Sequence, residues 1–179
     1  GANPIPMQLP IGEESEFRGA IDLLTMQATI WDDELGKEPQ VIPIPAHLQA
    51  EAVEKRALLV EKIAEFEDDL IIKFLDHQEI SIDELKNALR KAVLENKGTP
   101  VFCGSSLRNK GVQPVLDAVI DFLPSPADVP PVRGVALDNP DKVIELPAED
   151  DAPLSALVFK IVADPYVGRL AYFRVYSGT

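Results

Sequence analysis

The stretch TPVFCGSSLRNKGVQPVLDAVIDF, residues 99–122, decides the fold class. Its apolar opening, residues 99–103, predicts a buried strand, and a polar loop then leads into a helical pattern over 111–122. Strand, loop and helix in this order are half of a β-α-β unit, which implies a parallel sheet. No partner strand stands out elsewhere, so we predict the edge of an α/β domain whose sheet is incomplete here.

The residues before this stretch mix strand and helix signals. They predict two strands, over 17–24 and 26–31, and a polar turn over 32–37. One long helix is predicted over 46–76. A further helix begins at Ser81, because Ser81 and Glu84 have the spacing of a capping box. It ends near 96–98, where Gly98 suits the left-handed cap position.

The residues after this stretch predict a linker and an unfinished β structure. Residues 123–131 are rich in proline and 135–152 are acidic, which predicts a semi-rigid linker of low order. Two strands follow, over 154–164 and 168–177. A lone two-stranded hairpin is marginal in water, so we expect the chain to be an internal piece of a longer protein. The unpaired strand edges also favour self-association.

Composition limits the partners of the chain. It has 17 Lys and Arg against 30 Asp and Glu, a net charge of −13, which opposes direct binding to nucleic acid and favours a basic protein. Solubility alone would also account for the excess of acid. With one cysteine, no leader-like start and no long apolar run, we expect a cytoplasmic protein without membrane contact.

The sequence lacks the motifs of several kinds of binding and catalytic site. The sequence contains neither a G-x-x-x-x-G-K-[ST] phosphate loop nor a G-x-G-x-x-G fingerprint. His47 and His77 have no partners at metal-ligand spacing. Cys103 and Ser105 are candidate nucleophiles of an unrelated hydrolase, but no G-x-S-x-G elbow surrounds them and no histidine has a recognisable role as base. We therefore expect no catalytic residue and no metal ligand in this chain.

The loop over 104–111 is a candidate ligand site, because ligands in open α/β sheets bind beyond the carboxyl ends of the strands. An ordinary turn between a strand and a helix has the same composition, so both interpretations stay open.

The predicted long helix has an apolar stripe and an acidic face. Leu59, Ile63, Phe66, Leu70 and Phe74 share the stripe. The opposite side carries four carboxylates, at Glu54, Glu61, Glu65 and Asp68. Like charges at i,i+4 are mildly destabilising, so this face is either simply solvated or a docking surface for a basic helix.

Three blocks of the sequence together resemble the elongation factor G family of translational GTPases. They are GANPIPMQLPIG at residues 1–12, CGSSLRNKGVQPVLDAVIDFLPSP at 103–126 and PLSALVFKIVADPYVGRLAYFRVYSG at 153–178. The resemblance implies an α/β fold of mixed α+β character: the edge of a P-loop GTPase-type domain at 1–12 and 98–124, and an α+β insertion, called G prime, at 13–97. A linker at 125–150 and the first strands of an incomplete β-barrel at 151–179 would follow.

The resemblance also implies a guanine-contacting role for the loop. Ser105, Ser106 and Leu107 match the family's fifth guanine motif, in which the backbone N–H of the second residue donates to the guanine carbonyl oxygen. Ser106 stands where the family usually has Ala. The segment from Asn109 to Val112 is not the N-K-x-D motif, since Val112 replaces its Asp. The intact parent would bind GTP or GDP with magnesium and hydrolyse GTP, whereas we expect this chain alone to bind no cofactor.

The family's insertion helix resembles a docking site for the basic carboxy-terminal domain of the ribosomal stalk protein. Glu61 and Glu65 align best with its contacting acids, and Asp68 aligns less closely. The expected partner is therefore the ribosome, and the expected process is translocation in protein synthesis. Two other interpretations stay open: a related GTPase of the release factor 3 or ribosomal protection type, and a non-catalytic module that binds a basic protein.

Overall fold

The computed structural model describes residues 2–33, 35–136 and 139–179. Four residues lie outside these ranges. They are Gly1 in the predicted GTPase-domain edge, Glu34 in the predicted turn, and Leu137 and Asp138 in the predicted linker. The chain divides into two compact units, Gly1–Leu123 and Pro124–Thr179. The architecture is mixed α/β with several sheets, and the described residues form no closed barrel.

The first unit contains six strands and four helices among its described residues. In chain order they are β1 Pro4–Pro6, β2 Gln8–Ile11, β3 Gly19–Asp22, β4 Gln27–Ile30, β5 Gln40–Ile42, α1 Gln49–Ala64, α2 Asp68–Leu75, α3 Ile82–Leu94, β6 Thr99–Val101 and α4 Val112–Phe122. Short 3₁₀ turns cover Glu14–Glu16, Ala46–Leu48 and Ser106–Arg108.

The predicted parallel pairing of the 99–103 strand is confirmed, and its partner is β1. Ile5 lies opposite Pro100 in a parallel register. The sequence does not mark β1 as a strand, because prolines occupy two of its three positions and cannot donate to the ladder. Two further backbone bonds flank the pair: Thr99 N–H donates to Asn3 O at 2.9 Å, and Met7 N–H donates to Val101 O at 2.9 Å.

Strands β2 to β5 form an antiparallel sheet in chain order. The two strands predicted at 17–24 and 26–31 are confirmed but shorter. A turn separates them, in which Asp22 Oδ1 accepts the N–H groups of Leu24 and Thr25 at 2.8 Å each. The strands at the edges of this sheet, β2 and β5, were not predicted.

The prediction of one long helix over 46–76 is wrong, because the chain leaves the helical conformation between α1 and α2. Glu67 has φ −138° and ψ 123°, and its carbonyl accepts the N–H groups of Leu70 and Ile71 at 3.0 Å each. Asp68 and Asp69 occupy the first turn of α2, where the helix dipole favours negative charge. All five residues of the predicted apolar stripe still lie in or against one core.

Helix α3 has the predicted start but a different end. Ser81 and Glu84 form the capping box, with Glu84 N–H donating to Ser81 Oγ at 3.3 Å and Ser81 N–H to Glu84 Oε2 at 3.0 Å. The left-handed residue is Asn96, with φ 57°, so the prediction of a left-handed Gly98 is wrong. Gly98 is instead closely packed: a Cβ there would lie 2.6 Å from Ile5 Cδ1, so the end of the Ile5 side chain would have to shift.

The largest core of this unit joins the predicted insertion to the predicted edge of the GTPase domain. Its buried residues include Ile5 and Phe122 from that edge and Leu59, Ile63 and Leu89 from the insertion. A smaller cluster lies under the antiparallel sheet. The proposed division at 12/13 and 97/98 therefore does not coincide with a gap in the core.

The second unit contains two antiparallel pairs among its described residues. Strands β9 (Ser155–Asp164) and β10 (Gly168–Ser177) confirm the predicted strands at 154–164 and 168–177. Strands β7 (Val132–Val135) and β8 (Val143–Leu146) form a second pair. They lie within the segment predicted as a linker of low order, so that prediction is wrong for these residues.

Candidate functional site

The loop that joins β6 to α4 is compact and closed at its base. Ser105 N–H donates to Lys110 O at 2.8 Å, and Lys110 N–H donates back to Ser105 O at 3.0 Å. Between them, residues Ser106–Arg108 form one 3₁₀ turn. Because β6 ends at Val101 and pairs in parallel with β1, the loop lies beyond the carboxyl end of the parallel pair. This is the edge at which α/β sheets bind ligands.

The three predicted guanine-loop residues lie together and differ in exposure. Ser105 is partly buried, Ser106 is exposed, and 97% of Leu107 is accessible. The N–H of Ser105 is already bonded to Lys110. The N–H groups of Ser106 and Leu107 open the 3₁₀ turn, where backbone donors have no partner within the helix. The loop can therefore offer backbone donors to a ligand oxygen at Ser106 and Leu107.

Cys103 has the surroundings of a structural thiol. Its N–H donates to Gln8 Oε1 at 3.2 Å, and its Sγ lies 3.6 Å from the same oxygen. Burial raises the pKa of the Cys103 thiol, which lowers the fraction of nucleophilic thiolate. Nucleophilic catalysis by Cys103 is therefore not favoured.

The two histidines lie at the ends of helical segments. His77 takes the left-handed conformation after α2, and its N–H donates to Phe74 O at 3.2 Å. His47 lies in the 3₁₀ turn before α1. Within the described ranges, no three His, Cys, Asp or Glu side chains are grouped to hold a metal. In the same ranges, no helix has both the length and the apolar character to cross a bilayer.

The acidic face of α1 is formed by Glu54, Glu61 and Glu65, all of them exposed. At 100° per residue these three carboxylates fall on one side of the helix, with Leu58 among them. Glu65 remains on this side because it caps α1 in helical conformation, with its N–H bonded to Glu61 O at 3.1 Å. Leu58 is 51% exposed, so the face has an apolar residue at its centre. No sequence pattern distinguishes this leucine from the other apolar residues of the helix.

Asp68 lies in a different setting from the other predicted docking acids. It follows the break at Glu67 and belongs to the first turn of α2, where the dipole of that helix accounts for an acidic residue. The structure therefore brings Glu61 and Glu65 together on α1 and places Asp68 on the next helix. Among the described residues, no salt bridge joins any of these three acids to a cation.

Glu67, which sequence reasoning missed, is the acid in this region that is ion-paired. Its Oε1 lies 2.7 Å from Lys91 Nζ, and this contact raises the pKa of Lys91, with smaller contributions from Glu95 and Asp68. The pair joins the break between α1 and α2 to α3. Glu61 and Glu65 thus remain available to an external cation, while Glu67 has a structural partner.

No protein-family model matches the chain. Among solved structures, the chain is similar to a crystal structure of a protein from Thermus thermophilus, with a TM-score of 0.73 and 27% sequence identity. The alignment covers 98% of this chain and 23% of that one, so the chain spans about a quarter of the Thermus protein. The similarity bears on the fold and assigns no activity to this chain.

Proposed function

We propose that the chain is part of a translational GTPase of the elongation factor G type, here called the parent, which drives movement of tRNA and mRNA on the ribosome. The observation that carries this proposal is the loop at 105–107. It lies beyond the carboxyl edge of a parallel strand pair and places the N–H groups of Ser106 and Leu107 at the start of a 3₁₀ turn, where they have no partner within the helix. The likeness to the Thermus protein is compatible with a translation-factor-like fold.

In this proposal the loop recognises the guanine base. The N–H of Ser106 donates to the guanine carbonyl oxygen, as the resemblance implies. Ser106 is exposed, so its hydroxyl, where the family usually has a methyl group, needs no buried partner. Because the donor belongs to the backbone, the change of side chain leaves the contact intact.

The phosphates and the magnesium ion are held elsewhere in the parent. Phosphoryl transfer needs a phosphate cradle, metal ligands and a positioned water, and this sequence contains none of the motifs that supply them. The loop at 105–107 provides contacts only for the guanine base of the nucleotide. We therefore expect the 179-residue chain to bind no guanine nucleotide, and saturable micromolar binding of a fluorescent GDP analogue to it would contradict this.

The guanine contact is tested by removing one backbone donor. Ser106→Pro deletes the N–H, and the site tolerates proline because Ser106 is the first residue of a 3₁₀ turn. Ser105 precedes it with φ −124° and ψ 97°, close to the extended conformation that a residue before proline adopts. In the parent, Ser106→Pro should weaken GDP binding about tenfold, as for a lost hydrogen bond, and Ser106→Ala should leave it unchanged. Equal affinities for the two variants would refute the contact.

We further propose that the acidic face of α1 docks the basic carboxy-terminal domain of the ribosomal stalk protein. Glu61 and Glu65 supply exposed charge, and Leu58 supplies an apolar centre. Exposed ion pairs mainly tune the association rate and its salt dependence, while a central apolar residue contributes affinity. Asp68, at the start of α2, lies beside this face as a weaker candidate. The setting implied by such a partner is the cytoplasm.

The docking proposal is tested by titrating the chain with that stalk domain. Glu61→Lys with Glu65→Lys should weaken binding, and the difference should shrink at high salt because exposed pairs are screened. Glu149→Lys with Asp151→Lys is the matched control, since it makes the same charge change in the Pro124–Thr179 unit. An equal loss in both double variants would indicate a general charge effect and would refute docking at α1.

A second candidate function is pure interaction without catalysis, either with a basic protein or between copies of the chain. The observation that favours it is the exposed apolar surface of the β9–β10 pair. Phe159 is 64% exposed and Ile161 is 68% exposed, and unpaired strand edges promote association. Size-exclusion chromatography with light scattering tests self-association: a monomer at all concentrations would exclude it.

A further inference from the structure

The candidate guanine loop is attached to two segments of the predicted insertion, although the sequence separates them widely. Arg108 Nη1 donates to Ser15 O at 2.7 Å. Asn109 Nδ2 lies 3.2 Å from Leu35 O and 3.3 Å from Gly36 O. Every acceptor here is a backbone carbonyl, so the contacts depend on where the chain runs rather than on the side chains at 15, 35 and 36.

The contact between Gly36 and Asn109 is a close approach of two backbones. Gly36 has φ 58°, and a Cβ on it would lie 2.4 Å from Asn109 O and 2.7 Å from Arg108 O. No side chain fits at position 36 unless the loop moves. The turn that presents Gly36 is itself held by Asp33, whose carboxylate accepts the N–H of Lys37 at 2.8 Å.

The conformation of Asn109 does not by itself explain its amide contacts. Asn109 has φ 53° and ψ 28°, a left-handed conformation that asparagine adopts more readily than most residues and that glycine adopts most easily. A glycine would meet the backbone requirement but would lose both bonds to Leu35 and Gly36. The amide therefore adds an attachment that the turn itself does not need.

We infer that Asn109 is a positioning residue for guanine recognition: its docking on Leu35 and Gly36 holds the loop so that the Ser106 N–H faces the base. This inference rests on the proposed guanine-binding function. It makes residues 35–36 of the predicted insertion a support for nucleotide specificity, in addition to the docking role proposed for α1. Gly36 takes part because only its small size permits the contact.

The attachment is tested first in the chain itself, with Cys103 as the reporter. Cys103 precedes the loop, and a Cβ built on Gly111 would lie 2.8 Å from Cys103 O, so the base of the loop packs against the cysteine backbone. Asn109→Gly keeps the left-handed backbone and removes the amide, and Gly36→Ala introduces the clash. Each should speed alkylation of Cys103 by iodoacetamide about two- to tenfold, the range for loss of a hydrogen bond.

The matched control is Asn96→Gly, which changes the other left-handed asparagine of this unit at the end of α3. It should leave the alkylation rate within about twofold of wild type, because glycine suits that cap position. Circular dichroism confirms that all variants are folded. Unchanged alkylation in both Asn109→Gly and Gly36→Ala would overturn the inference, as would equal acceleration in Asn96→Gly.

The positioning role is tested in the parent by comparing GDP with 2-aminopurine riboside diphosphate, which lacks the guanine carbonyl oxygen. Asn109→Gly should lower the ratio of the two affinities about two- to tenfold. An equal loss for both nucleotides would indicate a purely structural effect and would overturn the inference. If the wild-type parent binds neither nucleotide, the proposed function itself fails, and this is seen without any variant.

Discussion

Replacing Leu58 by Ala should weaken docking of the basic stalk domain while leaving the fold intact. Leu58 is 51% exposed and lies among Glu54, Glu61 and Glu65 on the outer side of α1. Complete burial of a leucine side chain contributes about 1.5–3 kcal/mol, so burying the exposed half contributes about 0.8–1.5 kcal/mol. Its loss should raise the dissociation constant about four- to tenfold.

The assay is a fluorescence titration of the labelled stalk domain with each variant of the chain, at low and high salt. The loss in Leu58→Ala should be nearly independent of salt, because the removed contact is apolar, whereas the loss in the charge-reversed variant should shrink as salt rises. Val53→Ala is the matched control. Val53 is also half-exposed, at 54%, but lies about 140° around the helix from Leu58.

Equal affinities of Leu58→Ala and wild type would refute the view that this leucine is the apolar centre of a docking face. So would an equal loss in Val53→Ala. Alanine is a better helix former than leucine, so Leu58→Ala should not lower the urea midpoint if Leu58 is only a surface residue. A lower urea midpoint would therefore show that Leu58 stabilises the fold instead.

Three further predictions concern the fold. Gly98→Ala should lower the free energy of unfolding by up to about 2.5 kcal/mol in urea titrations, because overpacking against Ile5 costs about 1–3 kcal/mol and the stiffer unfolded chain offsets about 0.4–1 kcal/mol; a gain in stability would contradict the packing account. The hydrogen-bonded ion pair with Lys73, together with two hydrogen bonds from Ser81, lowers the pKa of Glu84 from 4.5 to about 2, so the stabilising effect of these contacts is present above pH 4.5 and is lost as pH falls toward 2. Wild type should therefore lose stability more steeply than Glu84→Gln in acid denaturation, and parallel curves would contradict this. Ser81→Ala should cost about 1 kcal/mol through loss of the helix cap, and an unchanged urea midpoint would show that the capping box contributes nothing.

The sequence was most informative where local chemistry decides the structure. The capping box at Ser81 and the strands at 154–164 and 168–177 depend on neighbouring residues, and both are confirmed. The parallel strand within 99–103 was predicted, but its partner β1 was not, because prolines conceal the strand and only the distant strand β6 completes it.

The errors arose where packing overrides the local pattern. The apolar stripe of residues 59–74 continues through Glu67, although the backbone there is extended, because both helices face one core. Glycine is the residue type typical of a left-handed cap, yet Asn96 takes that conformation and Gly98 makes room for Ile5. The hairpin of β7 and β8 lies in an acidic, proline-flanked segment whose composition is typical of a linker.

The sequence indicates the positions of the candidate site residues, but not the contacts that hold the loop in place. Ser105, Ser106 and Leu107 follow a strand in a recognisable motif. The attachment of Asn109 to Leu35 and Gly36 uses backbone carbonyls, which every residue has, so no sequence pattern identifies them. Leu58 is likewise identified only once the exposed side of α1 is known.

We propose that this chain belongs to a ribosome-dependent GTPase and helps to recruit that GTPase to the ribosome. The most direct measurement is GTP hydrolysis by the parent with and without ribosomes, in wild type and in the Glu61→Lys, Glu65→Lys variant. We predict hydrolysis that ribosomes stimulate strongly in wild type and weakly in the variant, with equal GDP affinity in both. Hydrolysis that ribosomes do not stimulate, or that both proteins show equally, would contradict the claim.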